Sequence, residues 1–126
     1  MARVLVADDD ELIREIVHRT LTAAGHEVVE ASDGRSCEEQ IERRLPDLVI
    51  IDIVMPEKEG IEVIADIRGR HPKLKILAIS GGGRASGDDF LALAKRFGAN
   101  ATLVKPFGVQ ELLRAVTAVL AGKREG

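Results

Sequence analysis

Four consecutive apolar residues at positions 48–51 lead directly into a single carboxylate, Asp52, after which the chain turns at Pro56 and Gly60. A short apolar run bounded by turn-forming residues is typical of a strand buried on both faces of a parallel sheet. Asp52 would then lie at the carboxyl end of its strand, where open α/β sheets place their ligand sites. Because a carboxylate is costly there without a cation, we expect a cationic group to meet it.

Four more apolar runs predict strands, and the segments between strands predict five helices. The strands are expected at 3–7, 28–31, 48–51, 74–79 and 101–104, with the second at the sheet edge. The first helix should carry Leu12, Ile13, Ile16, Val17, Leu21 and Ala24 on one face. The second should follow the turn at 33–34 and reach about 44, the third should run from after Gly60 to Pro72, the fourth should carry Phe90, Ala94 and Phe97 and end at Gly98, and the fifth should cover 109–120. Asp10 is expected to cap the first helix, Ile41 and Leu45 to be nearly the only large apolar residues of the second, and Asp88 or Asp89 to cap the fourth. This alternation predicts an α/β fold in which helices cover both faces of a parallel sheet.

Polar residues follow four of the five predicted strands: Asp8 and Asp9 the first, Asp52 the third, Ser80 the fourth and Lys105 the fifth. Parallel strands bring these ends to one edge of the sheet. Three close carboxylates cannot all stay ionised without a cation, and a few hard oxygen ligands suit Mg²⁺. Lys105 could neutralise phosphoryl oxygens and Ser80 could donate a hydroxyl, so the set predicts phosphoryl transfer with Asp52 as the nucleophile.

Composition narrows the functional classes. The chain has 126 residues, which predicts one domain, 1–126, without an output domain. A net charge of −3 and 2% aromatic residues argue against a nucleic-acid surface. Cys37 is the single cysteine, no apolar run is of membrane-spanning length, and no signal peptide is evident, so we expect a cytoplasmic protein. His18, His26 and His71 are scattered and are expected at the surface rather than as ligands.

The motifs resemble the receiver domain of two-component response regulators, along essentially the whole chain. The matching segments are 4–10 (VLVADDD), 52–56 (DIVMP), Gly60, 79–81 (ISG) and 104–107 (VKPF). The resemblance implies a flavodoxin-like (βα)5 sheet of order 2-1-3-4-5. It also implies that Asp52 accepts a phosphoryl group from a histidine kinase or phosphotransfer protein.

The resemblance further implies the site residues. Asp9, Asp52 and the backbone carbonyl of Val54 would bind Mg²⁺, with Asp8 acting largely through water. Ser80 and Lys105 would hold the phosphoryl oxygens, and the bond before Pro106 would be cis. Phosphorylation would draw Ser80 and its loop, including Gly81, Gly82 and Gly83, inward and alter the face of the fourth helix, fifth strand and fifth helix.

Three departures from the family pattern carry predictions of their own. Thr102 stands where the family usually has an aromatic switch residue, and loop 81–87 looks about three residues longer than is typical. We therefore expect loop ordering to replace the ring movement, which hydrogen exchange with and without a phosphoryl mimic would reveal. Val54 offers no polar side chain to orient a hydrolytic water, which predicts an aspartyl phosphate that is not unusually short-lived.

Competing functions remain open at this stage. A phosphate-independent interaction module of the same fold is the main alternative. A phosphatase resembling haloacid dehalogenases would need a second Asp at the position of Val54. This chain has no general acid at that position. Flavin binding is disfavoured because the chain has no Trp or Tyr to flank a flavin ring. The leading interpretation is a stand-alone switch that catalyses its own phosphorylation. We expect it to contact an unknown downstream protein, but no nucleic acid and no membrane. We expect it to be a monomer or a weak homodimer.

Overall fold

The computed structural model describes residues 1–54, 60–81 and 87–122, without the side chains of residues 87–91. Strands and helices alternate strictly along these residues. The strands are β1 (Arg3–Ala7), β2 (Glu27–Ala31), β3 (Leu48–Asp52), β4 (Lys75–Ser80) and β5 (Ala101–Val104). The helices are α1 (Glu11–Ala23), α2 (Gly34–Arg43), α3 (Gly60–Arg70), α4 (Gly87–Phe97) and α5 (Val109–Leu120). The predicted alternation is confirmed, with boundaries that differ by a few residues.

The five strands form one parallel sheet in the order β2-β1-β3-β4-β5. This is the flavodoxin-like order that the family resemblance implied, and β2 lies at the edge as predicted. β3 is central, and all five of its residues are buried. The sheet therefore places the carboxyl ends of β1, β3, β4 and β5 side by side on one edge, which we call the carboxyl edge.

Side chains of β3 alternate between two apolar cores because successive residues of a strand point to opposite faces. Val49 and Ile51 pack in one core with residues of α2, α3 and α4. Leu48 and Ile50 pack in the other with residues of α1 and α5. A strand buried on both faces must be apolar throughout, which explains the unbroken run from 48 to 51.

Side-chain caps begin two helices close to the carboxyl edge. The carboxylate of Asp10 accepts a hydrogen bond from the backbone N–H of Leu12 at 2.9 Å, which confirms the predicted cap of α1. Asp33 caps α2 in the same way through the N–H of Ser36. The predicted cap of α4 is wrong. α4 begins at Gly87, so Asp88 and Asp89 lie within its first turn.

Two apolar residues of α1 are less buried than their spacing predicted, and Leu45 lies outside the helix to which it was assigned. Leu12 and Ile16 of α1 are 62% and 39% exposed, whereas Val17 and Leu21 are fully buried. The buried face of α1 consists of Ile13, Val17 and Leu21, and Leu12 and Ile16 lie to one side of it. Leu45 is 54% exposed because α2 already ends at Arg43, which removes Leu45 from the buried helical face.

Candidate functional site at the carboxyl edge

Backbone hydrogen bonds extend the strand ladder into the candidate site. The N–H of Asp8 donates to the carbonyl of Ala31 at 3.1 Å, and the N–H of Lys105 donates to the carbonyl of Ser80 at 2.8 Å. Asp52 is the last residue of β3 and pairs with Ile79 of β4. Because the sheet fixes these backbones, the side chains of Asp8, Asp52, Ser80 and Lys105 are held at one edge, as the sequence predicted.

Three carboxylates meet at this edge. One oxygen each from Asp8, Asp9 and Asp52 lie within 4.8 Å of one another. Asp8 and Asp52 are buried and Asp9 is exposed, so the cluster is open to solvent on one side. Such a group of hard oxygen donors can hold a divalent cation whose remaining ligands are water or substrate oxygens.

The ammonium of Lys105 lies between the two buried carboxylates. Its Nζ is 2.8 Å from Oδ2 of Asp52 and 2.8 Å from Oδ2 of Asp8. The contact with Asp52 is a hydrogen bond, so the expected meeting of Asp52 with a cation is observed. Oδ1 of Asp52 accepts a second hydrogen bond from the backbone N–H of Val54 at 2.9 Å.

Oδ2 of Asp8 is buried and has the Lys105 ammonium as its partner at 2.8 Å. One ammonium therefore serves two buried carboxylates, and the third carboxylate, Asp9, lies exposed beside them. A set of hard oxygen donors that outnumbers the nearby cations fits a divalent cation.

Burial and charge shift the titration of the two central groups. Burial raises the pKa of Asp8 to about 6, and the Asp52 charge adds to this, against the lowering effects of Lys105 and of the hydrogen bond from the Asp10 N–H. Burial acts to lower the pKa of Lys105, but its contacts with Asp52 and Asp8 outweigh burial and raise it. Lys105 therefore stays cationic, and the cluster as a whole still carries excess negative charge.

Gly60 lets the start of α3 approach the chain that leaves β3. A Cβ at this position would lie 2.2 Å from the carbonyl oxygen of Asp52 and 2.5 Å from Cα of Ile53. The N–H of Gly60 also donates to the carbonyl of Ile53 at 3.1 Å. The sequence identified Gly60 only as a turn residue and a family match, and the structure adds that no side chain fits between α3 and the residue that bears the site carboxylate.

The predicted switch residues have mixed outcomes. Ser80 is buried, Gly81 is exposed, and the peptide bond between Lys105 and Pro106 is cis, as the resemblance implied. Thr102 is partly buried in β5 and pairs with Ala78. Gly82 and Gly83, and with them Met55 and Pro56, lie outside the described residues. The roles given to these residues stay predictions.

The histidines are not ligands of the carboxylate cluster, but two of them are paired rather than free at the surface. Nδ1 of His18 lies 2.7 Å from Oε2 of Glu30, and Nε2 of His71 lies 3.0 Å from Oε2 of Glu42. His26 accepts a hydrogen bond from the N–H of Ala2 at 3.1 Å. Cys37 is buried, and burial raises the pKa of its thiol to about 12, which leaves it unreactive.

A cavity of about 780 Å³ lies at the opposite end of the strands, between the starts of β1, β3 and β4. Two of its cationic groups have partners: Lys75 Nζ donates to the Leu120 carbonyl at 2.7 Å, and Arg70 contacts Glu42 at 3.4 Å. No carboxylate cluster like that of the carboxyl edge borders it among the described residues. The carboxyl edge is therefore the candidate functional site.

Comparison with known proteins agrees with this arrangement. The family model described as "response regulator receiver domain" matches residues 4–117. The chain is 37% identical to the transcriptional regulatory protein PdtaR of Mycobacterium tuberculosis over 98% of its own length and 58% of that protein's. It is 37% identical to the response regulator MprA of Mycolicibacterium vanbaalenii over 94% of its own length and 50% of that protein's.

A solved structure gives the same result. The receiver domain of NtrX from Brucella abortus superposes with a TM-score of 0.88 at 32% identity, over 94% of this chain and 98% of that one. The chain therefore belongs to the response regulator receiver domain family. It spans about half the length of the curated relatives it matches. Among the described residues, no helix is long and apolar enough to cross a membrane.

Proposed function

We propose that this chain is a phosphorylation-dependent switch in which Asp52 accepts a phosphoryl group from a phosphohistidine of a kinase or phosphotransfer protein. One observation carries the proposal: the Lys105 ammonium lies 2.8 Å from oxygens of both buried carboxylates, within a group of three carboxylates that can hold a divalent cation. A cation site beside a nucleophilic carboxylate and a fixed ammonium is the arrangement that phosphoryl transfer requires.

The transfer itself is a displacement at phosphorus. An oxygen of Asp52 forms the new O–P bond while the N–P bond of the phosphohistidine breaks, and its electron pair stays on the imidazole nitrogen. Lys105 would neutralise charge on the phosphoryl oxygens, and the Ser80 hydroxyl would donate a hydrogen bond to them. Mg²⁺, held by Asp8, Asp9, Asp52 and the Val54 carbonyl, would supply further neutralisation of the phosphoryl charge.

The signalling role rests on the family and not on an observed contact. Response regulators receive phosphoryl groups from histidine kinases and act on downstream targets, and we propose the same of this chain, by protein–protein contact in the cytoplasm. Because Val54 brings no polar side chain to the site, we also propose slow loss of the phosphoryl group. Thr102 and the loop that begins at Gly81 would report the phosphorylated state.

Intact-protein mass spectrometry after incubation with Mg²⁺ and acetyl phosphate tests the proposal. We expect the mass of one phosphoryl group to be added only with Mg²⁺, to be absent from Asp52→Asn, and to decay slowly after the donor is removed. Asp47→Asn is the matched control, because Asp47 directly precedes the amino end of the same strand, β3, and so lies at the other end of the strand from Asp52.

The other outcomes separate the alternatives. No added mass together with no Mg²⁺ binding would favour a phosphate-independent interaction module. No added mass with normal Mg²⁺ binding would mean that acetyl phosphate is a poor donor, and a phosphorylated histidine phosphotransfer protein would then be the deciding donor. Addition to Asp52→Asn would show that another residue is the acceptor.

A further inference from the structure

The carbonyl of Asp8 receives a cationic hydrogen bond from α1. Asp8 follows the last residue of β1, so the strand ladder no longer provides the partner of its carbonyl. Nη1 of Arg14 donates to this carbonyl oxygen at 2.7 Å. The guanidinium therefore ties the first helix to the backbone of a residue that contributes an oxygen to the carboxylate cluster.

Arg14 is itself held in place by the edge strand. Its Nε donates to Oε1 of Glu30 in β2 at 3.1 Å, and Oε2 of Glu30 lies 2.7 Å from Nδ1 of His18. The side chain of Arg14 is only 16% exposed. A planar guanidinium with two acceptors in fixed directions has little freedom, so its contact with Asp8 is restrained from both sides.

Apart from the contact of the Asp8 carboxylate with Lys105, the segment that Arg14 holds has few other anchors. The N–H of Asp8 bonds to Ala31 of β2, and the N–H of Asp10 bonds to Oδ1 of Asp8 at 2.9 Å. Asp9 lies between these points and is exposed. A displacement of the Asp8 carbonyl would therefore move the carboxylates of Asp8 and Asp9 together, relative to Asp52 on the rigid strand β3.

We propose that Arg14, oriented by Glu30, is a positioning residue that sets the Asp8–Asp9 segment at the spacing needed to bind Mg²⁺. This inference rests on the proposed function. Arg14 acts through the backbone and touches neither the phosphoryl group nor the cation. Outer partners that orient metal-binding groups commonly set metal affinity, and the loss of such a contact weakens it.

Direct Mg²⁺ binding, measured by isothermal titration calorimetry, and the Mg²⁺ dependence of phosphorylation by acetyl phosphate together separate positioning from folding, and the same change is expected in both. We expect Arg14→Met to raise the half-saturating Mg²⁺ concentration about three- to tenfold, while the rate at saturating Mg²⁺ changes much less. Arg14→Lys should recover part of the affinity, because an ammonium can still reach one acceptor. Glu30→Gln should give a smaller rise, because it loosens Arg14 without removing it.

Arg19→Met is the matched control, since Arg19 lies on the same helix, is 80% exposed and pairs only with Glu15 among the described residues. It should leave the half-saturating concentration unchanged. All variants are compared at a temperature at which circular dichroism shows them folded. If Arg14→Met does not fold, Arg14→Lys and Glu30→Gln decide the question by the same measurement.

Two results would overturn the inference. One is a half-saturating Mg²⁺ concentration in the Arg14 variants equal to that of the wild type, with or without a lower plateau, while the wild type itself is phosphorylated. That result would leave the proposed function intact and reduce Arg14 to fold support. The other is a wild type that neither binds Mg²⁺ nor gains a phosphoryl group from any donor, which would remove the proposed function and this inference together.

Discussion

Replacement of Gly60 by Ala tests how closely α3 must approach the site-bearing strand. The added Cβ would lie 2.2 Å from the carbonyl oxygen of Asp52, 2.5 Å from Cα of Ile53 and 2.9 Å from the carbonyl carbon of Asp52. All three are backbone atoms, so no side chain can rotate to make room. Either α3 or the segment after Asp52 must move.

The expected cost follows from that contact. Overpacking a dense interior typically costs about 1–3 kcal/mol, and contacts with backbone fall at or above the upper part of this range. We therefore expect Gly60→Ala to lower the free energy of unfolding by about 2–4 kcal/mol. Domains of this kind are usually stable by about 5–15 kcal/mol, so the variant should still fold.

Gly69 provides a matched control within the same helix. It is exposed, and a Cβ there would have no atom within 4 Å among the described residues. Alanine is favoured over glycine in helices by up to about 1 kcal/mol, so Gly69→Ala should be neutral or slightly stabilising. The same chemical change should thus have opposite signs at the two ends of α3.

Urea unfolding followed by circular dichroism gives both free energies, and the acetyl phosphate assay gives the effect on the site. We expect Gly60→Ala also to weaken Mg²⁺ binding, because the strain falls on the backbone of Asp52. A Gly60→Ala protein within about 0.5 kcal/mol of the wild type would refute the reasoning. It would show that the start of α3 yields easily and does not fix the site.

Two further predictions concern the charges of the cluster. Without metal, the raised pKa of Asp8 favours folding fully below its usual value of 3.8, and this stabilisation is lost as the pH rises through about 6. One pKa unit is worth about 1.4 kcal/mol, so the raised pKa of Asp8 can change the free energy of unfolding by at most about 3 kcal/mol. We expect Asp8→Asn to be about 1–2 kcal/mol more stable than the wild type at pH 7 but not at pH 4. Urea titrations in a chelator at both pH values check this, and a pH-independent difference would contradict it. Lys105→Met removes the ammonium shared by Asp8 and Asp52. This variant should be phosphorylated at least about tenfold more slowly, yet it should retain or tighten Mg²⁺ binding. Rate measurements test the first effect and calorimetry tests the second. An unchanged rate would exclude the proposed role of Lys105.

Local sequence patterns were sufficient for the alternation of strands and helices because each one has a direct physical cause, whereas the order of the strands came from the family resemblance. A strand buried on both faces must be apolar throughout, and the run before Asp52 has no other simple explanation. Charged groups at strand ends meet on one edge only because the strands are parallel, so the alternation of strands and helices already predicted the cluster. The predicted burial of Leu12 and Ile16 was wrong, since the spacing of apolar residues along α1 does not show that only Ile13, Val17 and Leu21 face the core.

The sequence alone determined the strand–helix alternation, the gathering of Asp8, Asp9, Asp52, Ser80 and Lys105 at one edge, and the family resemblance. Only the tertiary structure decided three other matters: the sharing of one ammonium by two carboxylates, the close approach at Gly60, and the contact of Arg14 with the Asp8 carbonyl. The reason is that these contacts join groups from different elements. Their distances depend on how α1, α3 and the strands pack in three dimensions, and no local periodicity records such a distance.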